Sequence, residues 1–149
     1  MIKTIEQWLT GKRLLIILTM AAAVWFSFTA VMTVLRYRLN YAPAYDFGIF
    51  SQMYYYMDKC LSPLTTCERD GLLSHFAVHL SPVFYVLLPF YKLVPRPETL
   101  LVLQSLVVIS GMVPLCLLAR TFCFTRLQTL CFGLMYCFYP AFMGGCFYD

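Results

Sequence analysis

Long apolar segments alternate in this chain with one extended stretch in which polar residues are frequent. Residues 14–35 are 22 consecutive positions without a formal charge, and about 1.5 Å of helical rise per residue makes them long enough to cross roughly 30 Å of hydrocarbon. Residues 98–119 and 121–148 are two further apolar segments. The pattern predicts an all-α integral membrane protein with about three transmembrane helices in a single membrane domain, residues 1–149.

Residues 36–97, between the first and second segments, contain a shorter amphipathic element. Its hydrophobic side chains recur at helical spacing, at Phe47, Phe50, Met53, Tyr54 and Met57. Tyrosine side chains suit the headgroup level of a bilayer, and four lie in or beside the element: Tyr45, Tyr54, Tyr55 and Tyr56. We therefore expect an interfacial helix here. Residues 58–74, which are rich in charged residues, should form a solvated loop.

The segment before the second span is harder to assign. Its uncharged run, residues 80–91, has only 12 positions and contains Pro82 and Pro89, which favours a re-entrant or surface-lying helix over a span. Positive charges do not decide the question, because five Lys and Arg residues lie inside and six outside in either arrangement. Length and the prolines therefore favour three spans, with residues 1–13 as a cytoplasmic basic flank and residues 36–97 as an outer loop.

Composition narrows the class of protein further. Hydrophobic residues make up 61% of the chain, charged residues 12%, and the mean hydropathy is +0.73, a balance that excludes an ordinary soluble domain of this length. The net charge of +4 is spread out without a basic run, so nucleic acid is not an expected partner. Membrane lipids are expected partners. The expected location is the plasma (inner) membrane, with an uncleaved amino-terminal anchor.

Two of the seven cysteines lie in the polar stretch. Cys60 and Cys67 are seven positions apart, and an oxidising exterior would either join them in a disulfide or leave them as free thiols. Their spacing is too wide for a zinc knuckle. The other five lie in or beside apolar segments, where a thiol packs as a small hydrophobic group.

Asp46 is the first candidate for chemistry. At the start of the predicted interfacial helix, its carboxylate would serve as an N-cap that accepts free amide hydrogens. A carboxylate at a membrane surface would also act as a general base toward a hydroxyl or hold a divalent cation. In the three-span arrangement Asp149 emerges on the same outer face and would be a second acidic ligand.

His75 and His79 are the second candidate. They are four positions apart, so on a helix they share a face and would ligate a metal or bind a lipid phosphate. The alternative is that they only hydrogen-bond water, headgroups or backbone. Arg36 and Arg38 mark the membrane edge and are expected to contact the same phosphate groups.

Several short segments, in order, resemble one family of bacterial multi-pass membrane proteins, the domain-of-unknown-function 2079 family. They are residues 36–38, 45–52, 75–82, 100–104 and 145–149. Family members are much longer, so we expect an amino-terminal part that is inactive alone and packs against the remaining helices of a longer chain. The family is in turn similar to GT-C membrane glycosyltransferases, which use a polyprenyl-phosphate sugar and an acidic residue in the first outer loop.

The resemblance implies that Asp46 is the catalytic acid or a ligand of a divalent metal ion, and that Asp149 begins a second acidic motif. Two other classes remain open: a transporter or flippase, and a scaffold without catalysis. Transporters usually place ionisable groups at mid-membrane, whereas here all Asp, Glu, Lys and Arg residues lie at or beyond a predicted edge. This distribution counts against the transporter.

Overall fold

The structure, a computed structural model, describes residues 2–41 and 44–147. In these ranges the chain is predominantly helical, and the predicted all-α membrane class is confirmed. The elements in chain order are α1 (Ile2–Trp8), α2 (Gly11–Arg38), α3 (Ala44–Cys60), β1 (Leu64–Thr65), β2 (Leu73–Ser74), a 3₁₀ turn (His75–Ala77), α4 (Val83–Leu93), α5 (Pro97–Ser110), α6 (Met112–Thr121), α7 (Arg126–Phe138) and α8 (Pro140–Phe147).

The first predicted span is one continuous helix, α2. It has 28 residues, which at about 1.5 Å each exceeds the thickness of the hydrocarbon core. Neither proline nor glycine interrupts it after Gly11. The hydroxyl of Thr29 donates to the carbonyl of Trp25 at 3.0 Å, so this polar group is satisfied within the helix.

The second predicted span is a helical segment of 25 residues, Pro97–Thr121, which is interrupted at Gly111 and so consists of α5 and α6. Pro114 has no amide hydrogen to donate to the carbonyl four residues earlier, that of Ser110, which explains a break at this point. The amide of Gly111 instead bonds to the carbonyl of Val108 at 3.1 Å, in a tighter turn. Pro97 and Glu98 lie in the first turn of α5, where both residue types are favourable.

The third predicted span, residues 121–148, differs from the expectation. Within the described residues it contains two helices, α7 with 13 residues and α8 with 8, neither of which reaches the length of a span. Tyr139 is extended between them (φ −70°, ψ 119°), because a residue before proline is driven out of the helical region. One helix therefore ends near Tyr139, and another begins at Pro140.

Contacts divide the chain into two compact units. The described residues of the first are 2–32 and 104–147. Its core contains side chains of α2, α5, α6, α7 and α8: Leu18, Trp25, Ile109, Met112, Cys137 and Cys146. The carboxylate of Glu6 accepts hydrogen bonds from the amides of Arg126 (2.8 Å) and Leu127 (2.9 Å), which satisfies two free donors at the start of α7.

The second unit comprises the described residues between 33 and 103. The predicted interfacial helix is present as α3, and the two methionines of its apolar face, Met53 and Met57, are fully buried against Leu88 and Tyr91 of α4. Tyr54 differs from the expectation for a headgroup-level tyrosine. It is buried in this core, where desolvation raises the pKa of its phenol to about 12.

The predicted solvated loop contains a small antiparallel hairpin in which Leu64 pairs with Ser74 and Thr65 pairs with Leu73. Gln52 of α3 holds this hairpin through its amide oxygen, which accepts from the Thr65 hydroxyl (2.9 Å) and from the Thr66 amide (2.8 Å). The loop is therefore anchored to the same helix that carries Asp46.

Candidate functional site

An ion pair joins the two ends of the connection between the candidate spans. Nε and Nη2 of Arg38, in the last turn of α2, each lie 3.2 Å from Oε1 of Glu98, in the first turn of α5. The end of α2 and the start of α5 are therefore side by side. This contact favours an arrangement in which residues 39–96 begin and end at one face of the membrane.

The length of α4 agrees with that arrangement. Its 11 residues extend about 16 Å, roughly half of the hydrocarbon core. Leu88 and Tyr91 are buried against α3, so one side of α4 is held by the loop itself.

Asp46 lies in the first turn of α3 with an exposed side chain. It is not the N-cap, contrary to one of the two interpretations of the sequence, because α3 begins two residues earlier, at Ala44. A carboxylate in the first turn still interacts favourably with the free amide hydrogens of the helix start. Asp149, its predicted acidic partner, lies outside the described residues.

Neighbouring side chains fix the position of this first turn. The hydroxyl of Tyr45 donates to the carbonyl of Cys67 at 2.7 Å, and the rings of Phe47 and Tyr37 meet edge to face with centres 5.1 Å apart. The start of α3 is thus tied both to the hairpin loop and to the end of α2.

His75 is 3% exposed and begins the 3₁₀ turn. Its Nδ1 lies 2.8 Å from Oε2 of Glu68. An ionised carboxylate only accepts hydrogen bonds, so Nδ1 is the donor. The ring also contacts Phe50 (centres 5.6 Å apart) and Phe84 (6.0 Å), which hold it in place.

His79 is exposed, and its ring centre lies 5.7 Å from that of His75. The His79 amide donates to the His75 carbonyl at 2.9 Å, so a single turn brings the two rings together. The spacing of four therefore does place the two rings close together, although His75 begins a short 3₁₀ turn and His79 follows its end, so they do not share a long helix.

The histidines and the carboxylate partner of His75 form one small group. The ring of Phe50, one turn after Asp46 on α3, meets that of His75 edge to face with centres 5.6 Å apart. We call Glu68, His75 and His79 the loop site. Across residues 2–41 and 44–147, no group of three or more His, Cys, Asp or Glu side chains is arranged to hold a metal ion.

The chain matches the sequence model of one known protein family. The sequence model of a family described as predicted membrane proteins, DUF2079, matches residues 35–149. The chain belongs to this family. No curated protein and no solved structure matches it. Membership agrees with the resemblance seen in the sequence, and it supports a membrane protein that contacts lipids.

In this DUF2079 protein the two arginines at the predicted membrane edge differ in their surroundings. Arg38 is exposed and paired with Glu98, whereas Arg36, two residues earlier in the last turn of α2, is half-buried. A surface ion pair of this kind contributes at most about 1 kcal/mol. Exchanging Glu98 for a lipid phosphate would therefore cost Arg38 little interaction free energy.

The predicted disulfide between Cys60 and Cys67 is not formed in this structure, where both thiols are free. Cys60 is the last residue of α3, and its thiol turns back to the carbonyl of Tyr56 (3.1 Å). The Cys67 thiol faces the amide oxygen of Gln52 (3.4 Å). The loop is instead held by hydrogen bonds from Gln52, a role that the sequence pattern did not indicate.

Glu68 was also missed by sequence reasoning. It is seven residues before His75, across the hairpin, and no helical or strand spacing relates the two positions. Only a general rule could have indicated this pair: a buried imidazole needs a hydrogen-bond partner, and Glu68 is one of few carboxylates nearby in the sequence.

Proposed function

We propose that the protein is a membrane-embedded glycosyltransferase that takes a sugar from a polyprenyl-phosphate donor at the outer face of the inner membrane. The observation that supports this most is the exposed carboxylate of Asp46 in the first turn of α3, within the unit where the end of one candidate span contacts the start of the next. The amino terminus is then cytoplasmic, and residues 39–96 are outside.

Asp46 acts as the general base. It receives the proton of an acceptor hydroxyl while that oxygen attacks the anomeric carbon of the donor sugar. The bond between the anomeric carbon and the phosphate oxygen breaks at the same time, and the lipid phosphate leaves with the electron pair. Attack from the side opposite to the leaving group inverts the configuration of the sugar.

The leaving phosphate needs positive charge or hydrogen-bond donors close by. His79 is exposed in the loop site, and Arg36 and Arg38 lie at the end of α2. These side chains are the proposed phosphate contacts. His75 is a weaker contact than the sequence suggested, because it is buried and its Nδ1 is engaged by Glu68.

Asp46 supplies one acidic group to this step. Asp149 would supply a second acidic group in the same reaction.

Replacing Asp46 with Asn tests the proposal. The variant keeps the shape of the side chain but removes the base, so transfer should fall by about 10²–10⁴-fold. The measurement is the transfer of labelled sugar from a polyprenyl-phosphate donor, in membranes containing the complete protein as its own host produces it.

Asp70→Asn is the matched control, because Asp70 is an exposed carboxylate in the same loop with no proposed role. It should transfer sugar at the rate of the unchanged protein. Equal rates for Asp46→Asn and Asp70→Asn, at equal protein levels, would remove Asp46 from the reaction.

A further inference from the structure

An apolar groove of about 360 Å³ lies in the first unit, between α2 and the segment formed by the end of α5 and α6. Its walls are mainly hydrophobic side chains, among them Leu15, Ala22, Ile109 and Leu117. Arg120 is the one charged residue among the described residues that line it. We propose that this groove binds an acyl chain of one anionic phospholipid, with the lipid phosphate at Arg120.

Two basic side chains are placed at one end of the groove. Arg120 is the last residue but one of α6, and Leu15, in the second turn of α2, lines the groove with it. Lys12 precedes Leu15 by three positions and so shares its face of α2, one turn closer to the start of the helix.

The length of the groove matches one leaflet of a bilayer. Ile109 precedes Arg120 by 11 positions, which extend about 16 Å along a helix axis. Half of a hydrocarbon core of roughly 30 Å is about 15 Å. An acyl chain whose headgroup is at Arg120 would therefore reach the level of Ile109.

Trp8 and Arg13 mark the level of the headgroups at this end of the unit. Trp8 is 55% exposed, and the guanidinium carbon of Arg13 lies 4.8 Å from the centre of its ring. Exposed tryptophans are enriched where membrane meets water. Leu15 follows Arg13 by two positions, so the groove begins at the depth of the lipid phosphates.

The charge of the first unit is complementary to an anion. Its described residues contain one carboxylate, that of Glu6, and five basic side chains: Lys3, Lys12, Arg13, Arg120 and Arg126. The Glu6 carboxylate already accepts two amide hydrogen bonds at the start of α7. The guanidiniums of Arg13 and Arg126 donate to backbone carbonyls of the first turns, at 2.7 Å and 3.4 Å.

Arg120 and Lys12 differ from those two arginines. Within residues 2–41 and 44–147, neither takes part in an ion pair, and both are exposed. An apolar helix in the groove would leave these two charges unmatched, whereas a phospholipid supplies an apolar chain and a phosphate in one molecule. No step of the proposed sugar transfer uses these residues, so the failure of either proposal leaves the other standing.

Photo-crosslinking of the complete protein tests the proposal. The protein is reconstituted in phosphatidylcholine vesicles that contain phosphatidylglycerol with a diazirine in its acyl chain, or phosphatidylcholine with the same chain. Crosslinks to peptides covering residues 15–22 and 109–117 are counted by mass spectrometry. We expect a preference for phosphatidylglycerol of about 5–25-fold, because each of two basic side chains contributes roughly a factor of five.

Arg120→Gln should lower this preference about fivefold. Lys3→Gln is the matched control, because it removes the same charge from α1 without touching the groove, and salt screens charges that do not contact the phosphate. It should retain most of the preference. An equal loss in both variants would show a diffuse attraction and would overturn the site.

Thr19→Phe tests the groove itself. Thr19 is an exposed lining residue, so a ring there should fill the space of the acyl chain and abolish the preference while the helix still folds. Ile16→Phe, at a position that is 60% exposed on the same helix but outside the groove, should behave as the unchanged protein. Amounts are compared for protein that elutes as one species in size-exclusion chromatography.

Three further results would overturn the proposal. Equal crosslinking of the two lipids would make the groove an unselective lipid-facing surface. Absence of crosslinks to both peptides would mean that another part of the complete protein covers the groove. An unchanged preference in Thr19→Phe would place the anionic lipid elsewhere.

Discussion

At the scale of single residues, Gly111 has the most restrictive surroundings among the glycines of the first unit. A Cβ built on it would collide with the hydroxyl of Tyr136 and lie 2.9 Å from Cζ of the same ring. That hydroxyl donates to the carbonyl of Val108, which is one of the groups near the break between α5 and α6. Gly111 thus leaves room for the hydrogen bond from Tyr136 to the Val108 carbonyl, which satisfies a backbone acceptor where the apolar helix is interrupted.

Gly111→Ala should therefore destabilise the protein by about 1–3 kcal/mol, because Tyr136 must move and its hydrogen bond is lost. The free energy of unfolding, measured by titration from mild detergent into SDS, gives this value.

Gly144→Ala is the matched control, since a Cβ at Gly144 of α8 meets no atom within 4 Å. It should be neutral or stabilising by up to about 1 kcal/mol, because alanine is the better helix former. Equal stability of the two variants would mean that the Tyr136 contact does not constrain the break.

Single residues also show what the sequence could and could not predict. The closeness of His75 and His79 follows from their spacing of four, and it was predicted. The N-cap assignment of Asp46 was wrong, because α3 begins two residues earlier, at Ala44, and the position of a helix start depends on contacts as well as on capping residues. The bond between Glu68 and His75 depends on the path of the hairpin, which no local pattern encodes.

At the scale of elements, α4 has two different faces. One is buried against α3, and the other carries exposed hydrophobic side chains at helical spacing: Val83, Val86, Phe90 and Leu93. Val86 is 65% exposed and Leu93 is 79% exposed. Only three residues separate this helix from a candidate span, so its exposed apolar stripe is expected to lie on lipid.

A nitroxide attached to Val86→Cys should therefore contact acyl chains. In liposomes its accessibility to oxygen should exceed its accessibility to a water-soluble nickel complex, because oxygen concentrates in the bilayer. The same label on Asp70→Cys, in the solvated part of the loop, should show the reverse order. A label at position 86 that behaves like the one at position 70 would place this face of α4 in water.

The helices themselves were largely predictable from apolar periodicity and from proline. The bounds of α2 and the combined extent of α5 and α6 match the predicted spans within a few residues. The end of α7 before Pro140 follows from the limits that proline places on the residue before it. The start of α8 at Pro140 was not predicted, because proline is as favourable in a first helical turn as it is unfavourable inside a helix, and composition alone does not say which applies. For Cys60 and Cys67 the structure shows the free-thiol alternative, and spacing alone does not set the direction of a thiol.

At the scale of the whole molecule, the question is which groups share a face of the membrane. Five Lys and Arg residues lie inside and six outside whether or not the segment containing α4 crosses the membrane, so the count of positive charges does not decide between the two arrangements. The ion pair between Arg38 and Glu98 does carry information about which groups share a face, because it joins positions 60 residues apart at the ends of two helices. Contacts of such long range depend on the folded chain and are not accessible to a reading of local pattern.

The central claim is that α4 lies along the outer surface without crossing, so that Asp46 and both ends of α4 are outside. Labelling of single cysteines with a membrane-impermeant maleimide tests it most directly. The variants are Asp46→Cys, Leu80→Cys and Arg96→Cys in a background without native cysteines, with Lys3→Cys as the control for the opposite face.

In cells or spheroplasts with an intact inner membrane, we expect cysteines at positions 46, 80 and 96 to react, and the cysteine at position 3 to react only after the membrane is opened. Reaction of position 80 without position 96, or of 96 without 80, would show that α4 crosses the bilayer and would contradict the account. Labelling of position 3 alone in intact cells would show that the orientation is the reverse and that Asp46 lies at the cytoplasmic face.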